Sequence, residues 1–539
     1  MVKRYFNISG PNREYHFGLD PLTRIDYRYV ETMIERGRFF SICSARQSGK
    51  TTLLLAIKKK LNEEGKYRCI YCNVEAAQVA GNDTRSGMQT ILSRIAQEAE
   101  FEFQDSWPND NFPSILEHYG ADSALVAFFE RWLFKDKQAK KLPIVLLLDC
   151  IDLLSGKTLV SVLRQLRTGQ IYSPELFPQT VILCGARDVR DSDISIGEDE
   201  FLIGRGGSDI RENTVVLYNF TQGEIKELCD QYTAESGQNF QENAYPRLYS
   251  LTGGRPWLVN AILCEAIYEM GFGNDVSKII TFGMIDAAKD HFINRQDYYM
   301  EQLAHKLRAP RIRETIFPIL AGGNWAKNPA PEDLDYLEDL ELIKKFPSGW
   351  GITNAVYREL IPKVIGRNLK DELVHVVDRT KFLKPDGRLD FRSMVQFYQR
   401  IYCDYFLAWG RRYELEGVLA QILLHAFLHY AVGDRGRMEC DYALSTGRMD
   451  ISVGWGYSLE SGERREERFV VELRLFDSTK SHEAVVRQGV AQVVEYAKPR
   501  QPHDVYLIIL DEDQSKTWYD RLFQEEHVFK DVPVHVYGL

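Results

Sequence analysis

The stretch that most constrains this chain is Ser44, Ala45, Arg46, Gln47, Ser48, Gly49, Lys50 and Thr51, together with Thr52. An apolar run, Phe39 to Cys43, precedes it, and a helical pattern, Thr52 to Lys58, continues from it. A strand that turns through such a loop into a helix aims backbone N–H groups and the positive end of the helix dipole at one point, which is how a phosphate is held. Lys50 then reaches the β- and γ-phosphates, and the Thr51 hydroxyl holds Mg²⁺. Ser44 stands where the motif usually starts with Gly. The expected ligand is ATP with Mg²⁺.

Downstream, helical stretches alternate with short apolar runs, Arg68 to Val74, Ile144 to Leu148 and Thr180 to Cys184. Continuous apolar strands separated by helices imply a parallel sheet covered on both faces. The second run, from Leu142, ends in Asp149, an acid placed beside the Mg²⁺ held by Thr51. Cys150 follows that acid, where hydrolytic members of this class carry a Glu that activates water. A thiol is a poor base at neutral pH, so slow hydrolysis or binding without turnover is expected. Asp152 lies beyond the strand end. Arg187 and Arg190 follow the third strand, where a nucleotide-sensing cation sits in such folds; salt bridges to Asp188 and Asp191 are the competing explanation.

At 539 residues and 44% hydrophobic, the chain can bury several cores. No apolar run reaches the ~18 residues of a membrane span, and the N-terminus, Met1 to Phe6, lacks a signal-peptide pattern, so a cytoplasmic protein is expected. The 9 cysteines fit reduced thiols. Cys69 and Cys72 have CxxC spacing, but residues three apart on a strand point to opposite faces, so buried thiols are expected rather than a shared metal. The net charge of −10 argues against wholesale binding to nucleic acid, without excluding a local basic patch such as His305 to Arg313.

The opening Arg4 to Pro11, the loop Ala45 to Thr51, and the segments Ser161 to Arg167, Gly185 to Asp191 and Thr252 to Asn260 together resemble bacterial AAA-like ATPases of the signal-transduction (STAND-related) group. The resemblance runs to about Ile365. It implies a P-loop ATPase core over 1–217, a helical lid over 218–280 and self-association through the ATPase module. Thr221 to Glu224 is a capping-box pattern that opens the lid's first helix. Arg255, at the Gly253-Gly-Arg-Pro-Trp257 turn, approaches the nucleotide by resemblance to sensor residues; a plain surface role is the other reading.

Residues 281–365 read as helix, helix and hairpin: Arg311 to Ala321, Pro331 to Leu340, then two strands within Leu342 to Thr353, closed by Asn354 to Ile361. That order suggests a winged helix. Its second helix carries Glu332, Asp333, Asp335, Glu338 and Asp339, the wrong charge for a phosphate backbone, which favours a protein-contact role. A helical linker, 366–410, follows, with an aromatic-rich segment from Phe391 to Trp409 read as packing surface.

The last module, 411–539, holds a second constellation. Asp450 enters a strand (Ile451 to Trp455), and Glu472 and Arg474 lie on the next (Arg468 to Phe476). Antiparallel neighbours bring Asp450 and Glu472 together, and Glu472 and Arg474, two apart, share a face. Two carboxylates beside a cation can hold Mg²⁺ and steer a water onto phosphate. Gln492 and Tyr496 stand one turn apart on the following helix, and Val505 to Leu510 is a further strand. Asp450, Glu472-Leu-Arg474, Gln492 and Tyr496 together resemble the PD-(D/E)XK nuclease superfamily in its RecB-like form. The resemblance implies a Mg²⁺-dependent α/β nuclease acting on nucleic acid, DNA in the first instance, and suggests defence against foreign DNA. Arg474 replaces that superfamily's Lys and cannot readily move a proton. Glu416, near the start of a helix read over Leu415 to Tyr430, is a third acid by resemblance. The leading expectation is an ATP-controlled nuclease; the alternative is a nucleotide-switched scaffold with both catalytic sites worn down.

Overall fold

In the computed structural model the chain is described except for residues 1–3, 186–213, 296–302, 304, 308, 321–328, 348, 366–372, 414–418, 434–435, 444–447, 459–462, 512 and 514. It forms two compact units, Met1–Tyr249 with Gly253–Ile285, and Asp286–Leu539 with Ser250–Thr252.

In the first unit, short strands β1 (Tyr5–Phe6) and β2 (His16–Phe17) pair parallel. The main sheet comprises β3 (Phe40–Cys43), β4 (Arg68–Asn73), β5 (Ile144–Asp149), β6 (Thr180–Gly185) and β7 (Thr214–Val216). All pairs are parallel, in the order β4-β5-β6-β3-β7. Every residue of β5 is buried, because the sheet is covered twice. On one face Ile70, Cys72, Leu146, Leu148, Val181 and Leu183 meet residues of the helices Thr84–Phe103, Trp107–Tyr119, Ala124–Gln138 and Gly156–Tyr172. On the other, Phe40, Ile42, Cys69, Val145, Leu147 and Ile182 meet the helices Tyr27–Glu35 and Lys50–Glu64. Cys69 and Cys72 thus lie in opposite cores, as the period of 2 requires.

The helix Gln222–Ser236 opens on a complete capping box: the Glu224 N–H donates to Thr221 Oγ1 (3.2 Å) and the Thr221 N–H to Glu224 Oε2 (2.8 Å). The N-terminal segment ties this region to the phosphate loop. Phe6 packs on Phe17 and Tyr232, and the Trp257 indole donates to the Ile8 carbonyl (2.9 Å). The Asn12 N–H donates to Thr52 Oγ1 (3.1 Å).

In the second unit the helices Pro310–Leu320 and Pro331–Asp339 are followed by the antiparallel hairpin β8 (Ile343–Phe346) and β9 (Gly349–Ile352), and by the helix Ala355–Ile365. Arg311 pairs with Asp333, donates to the Glu332 carbonyl and stacks on Tyr336, so its charge is spent on the acidic second helix.

The last sheet comprises β10 (Gly436–Ala443), β11 (Arg448–Ser458), β12 (Arg464–Leu475), β13 (Asp504–Leu510), β14 (Gln524–Phe529) and β15 (Val532–Gly538), in the order β10-β11-β12-β13-β15-β14. The first three strands form an antiparallel meander; β12, β13 and β15 are parallel, and β14 closes the edge antiparallel. The helix His482–Ala497 makes the β12-to-β13 crossover and buries Val485, Val486, Val490 and Val493 against Val470, Leu507 and Val536. On the opposite face Phe391 lies flat on Phe469 (ring centroids 4.6 Å apart) and tilts against Tyr506. The segment read as a linker is therefore in direct contact with this sheet.

A buried ionic cluster fastens β10 to the helices before it. Lys289, 1% exposed, places its ammonium 2.7 and 2.8 Å from the two Glu359 oxygens and 2.7 Å from Asp290. Arg437 on β10 reaches Asp290 (3.0 Å) and Asp286 (3.4 Å). Burial pushes the Glu359 carboxyl up to about 7; Lys289 opposes the rise, and Asp290 and Glu439 add to it. A raised acid is best tolerated when protonated, so its contribution to stability is complete below the ordinary carboxylate range and is lost as pH rises toward about 7. Glu359→Gln mimics the protonated form. The variant also takes a partner from the buried Lys289 ammonium, which sets its overall level, so the reading is in the slope: between pH 5 and 7 the wild-type melting temperature should fall more than the variant's.

Candidate functional sites

The phosphate loop leaves β3 and enters the helix Lys50–Glu64 through two left-handed residues, Gln47 (φ 65°) and Gly49 (φ 98°). The second needs glycine, since this φ is costly for any residue with a Cβ. The Lys50 ammonium donates to the carbonyls of Ser44 (2.7 Å) and Ala45 (2.8 Å), spanning the loop it belongs to. Burial lowers its pKa, against the pull of Asp149, Asp152 and nearby thiols. Ser48 is fully buried, while Arg46 and Gln47 are exposed.

Asp149, at the end of β5, is fully buried and is the hub of the site. The Thr51 hydroxyl donates to Asp149 Oδ2 (2.7 Å), although β6 lies between β3 and β5. The contact forms because Thr51 sits on the first turn of the helix, above the C-terminal edge of the sheet. The Tyr71 hydroxyl donates to the same oxygen (2.9 Å), and the Cys150 N–H donates to Oδ1 (2.9 Å). Hydroxyl and carboxylate oxygens are the donors Mg²⁺ prefers, and it commonly takes its remaining ligands from phosphate and water. Among the described residues, no group of three or more His, Cys, Asp or Glu is arranged to hold a metal by itself.

Cys150 adopts a left-handed conformation (φ 63°) and accepts a long contact from the Asn73 amide (3.6 Å). Burial, then the charges of Asp149, Glu75 and Asp152, push its thiol up to about 12. A thiol held so far from ionisation cannot act as a base at neutral pH. Asp152 sits in the turn Ile151–Leu153, past the strand end.

Arg255, 4% exposed, donates through Nη2 to the Arg46 carbonyl (2.9 Å), so the turn before the helix Pro256–Cys264 does meet the loop. Arg187 and Arg190 lie outside the described residues. Sequence reasoning missed Tyr71, Asn73, Asn12 and Arg24. Arg24 lies over Phe220 (4.8 Å), and its Nη1 is 3.0 Å from where a Cβ on Gly49 would stand. Tyr71 and Asn73 share one face of β4 by their spacing, but nothing in the sequence says that β4 neighbours β5.

At the second site, Asp450 and Glu472 are register partners across β11 and β12, 1% and 0% exposed. Val470, Glu472 and Arg474 alternate onto the face that Val470 shares with the helix His482–Ala497. Arg474 Nη1 donates to Gln492 Oε1 (2.9 Å) and lies 3.9 Å from Glu472 Oε1. One turn beyond Gln492, Tyr496 lies under the Arg500 guanidinium (3.8 Å). The two carboxylates are hard oxygen donors of the kind Mg²⁺ takes, with the cation of Arg474 beside them. Glu416 lies outside the described residues.

Gly489 makes room for Arg474. A Cβ there would come 2.6 Å from Leu507 Cδ2 and 3.3 Å from Arg474 Cδ and Nη1. Gly489→Ala should therefore destabilise by about 1–3 kcal/mol through overpacking, read as a lowered melting transition in calorimetry of the full chain.

No family model matches the chain, and no curated protein matches it. Among solved structures it is similar to RuvB of Thermotoga maritima, a Holliday junction branch migration motor (13% identity over 62% of this chain and 92% of that one, TM-score 0.33). It is also similar to Cdc6p from Pyrobaculum aerophilum (14% identity over 68% and 97%, TM-score 0.34). Likenesses at this level carry no argument about either site.

Proposed function

We propose that the first unit binds ATP with Mg²⁺ between the loop Ser44–Thr52 and Asp149. The observation that carries this reading is the 2.7 Å contact between Thr51 and Asp149. It joins a helix-start hydroxyl to a strand-end carboxylate beside a loop whose lysine is already positioned, which is how the two halves of a nucleotide–Mg²⁺ site meet. In this reading the unit is an AAA-like ATPase core with a helical lid, and Arg255 and Arg187 attend the nucleotide. Because Cys150 occupies the water-activating position with its thiol protonated, ATP is held more readily than it is hydrolysed.

The second unit, on this proposal, carries a winged-helix-like module for protein contact and a Mg²⁺-dependent nuclease site. Asp450 and Glu472 would hold the metal, Arg474, oriented by Gln492, would stabilise charge on phosphate, and Tyr496 would line the approach of nucleic acid, DNA first. Binding of ATP controls this site by favouring one of two states, which requires differential affinity rather than fast turnover. Self-association through the ATPase module and a role in defence against foreign nucleic acid belong to the same proposal.

One observation favours a second reading. Arg474 is occupied by Gln492 and lies near Glu472, and with Cys150 it makes both proton-moving positions inert. A scaffold that binds nucleotide and partners without cleaving would look the same.

Cleavage of plasmid and single-stranded substrates, with and without Mg²⁺ and ATP, separates the two. Wild type should cut only with metal, and Asp450→Ala should abolish cutting. ATP binding with no cleavage under any condition would establish the scaffold. Separately, Cys150→Glu should raise ATP turnover on the order of a hundredfold, the lower range of general-base assistance, measured by phosphate release. An unchanged rate would place the limit elsewhere in the site.

A further inference from the structure

Asp149 receives three donors, and one of them lies outside the phosphate loop and its partner strand. Thr51 and Tyr71 both donate to Oδ2, at 2.7 and 2.9 Å, while the Cys150 N–H holds Oδ1 at 2.9 Å. With the Thr51 hydroxyl assigned to the cation, Tyr71 and the Cys150 N–H are the donors left to aim the carboxylate.

We propose that Tyr71 is a positioning residue for the Mg²⁺-binding carboxylate, which makes tight ATP binding depend on a side chain of the neighbouring strand. The proposal rests on the ATP reading above. Its support is geometric. β4 pairs with β5 in parallel register, Tyr71 opposite Leu147 and Asn73 opposite Asp149, so the phenol reaches Asp149 along the sheet edge from a rigid strand. Groups on such elements are held more closely to one geometry than groups on loops. The ring packs at the margin of the core that contains Leu53, Leu54 and Val145. Phenylalanine would fill that space equally well, so the hydroxyl adds only its bond to the carboxylate. Partners of this kind orient a metal's ligands and govern how tightly the metal is held.

Tyr71→Phe tests this, because it removes the donor and keeps the ring. ATP binding is measured by calorimetry in saturating Mg²⁺ and again in EDTA, together with the melting temperature of the nucleotide-free protein. Affinity in Mg²⁺ should weaken about tenfold, the lower range for loss of a ligand-orienting partner. Affinity in EDTA should match wild type, while the nucleotide-free protein should melt somewhat lower, because the buried Asp149 carboxylate loses one of its three donors. In an Asp149→Asn background Tyr71→Phe should have no further effect, since coupled residues are not additive. Equal losses with and without Mg²⁺, no loss at all, or full additivity with Asp149→Asn would each overturn the proposal. If wild type binds ATP, Lys50→Ala abolishes binding and Tyr71→Phe behaves as wild type, the ATP reading stands and only this inference falls. If wild type binds no ATP, both fall.

Discussion

The first unit is organised around one buried carboxylate. Asp149 has no exposure to water, and a charge so placed survives only when hydrogen-bonded from several sides. Its donors come from three parts of the fold: the helix after the phosphate loop, the strand β4, and its own successor in the chain. Each demands something of the architecture. Thr51 requires the loop to turn sharply at Gly49, Tyr71 requires β4 beside β5, and Cys150 requires a left-handed turn directly after the strand. The doubly covered sheet is what makes those demands compatible, since it fixes the strand ends at one edge.

The second site is built on a different device. There the carboxylates of Asp450 and Glu472 come from antiparallel neighbours in direct register, so the pairing itself sets their separation. The cation beside them is held from above by the crossover helix, through Gln492, in space kept by Gly489. The two sites share one property. Beside the carboxylates of each stands a group that does not readily give up a proton at neutral pH: a thiol pushed up to about 12 in one, a guanidinium in the other.

Much of this was legible in the chain. Apolar runs without alternation announced strands buried on both faces, and β4, β5 and β6 lie within about a residue of the runs that predicted them. The capping box at Thr221 was readable because it is local, spanning the four residues Thr221 to Glu224. The opposite burial of Cys69 and Cys72 followed from the period of a strand. Less was legible where partners are remote. Helix Phe391–Tyr413 gave an aromatic pattern but no sign that Phe391 would meet Phe469. The terminal pair β14 and β15 went unread, as did the attachment of Asn12 to Thr52 across 40 residues.

The sequence by itself determined the loop Ser44 to Thr51 between strand and helix, the acid Asp149 at a strand end with Cys150 after it, and the spacing of Asp450, Glu472 and Arg474. These are matters of residue type and short-range geometry, which the periods of helix and strand carry. Only the tertiary structure decided which groups surround them: Tyr71 on Asp149, Arg255 on the loop, Gln492 on Arg474, and Gly489 as the space behind it. Strand order and helix placement depend on how apolar faces are buried against one another. That is a property of the whole packed unit, and no window of residues contains it.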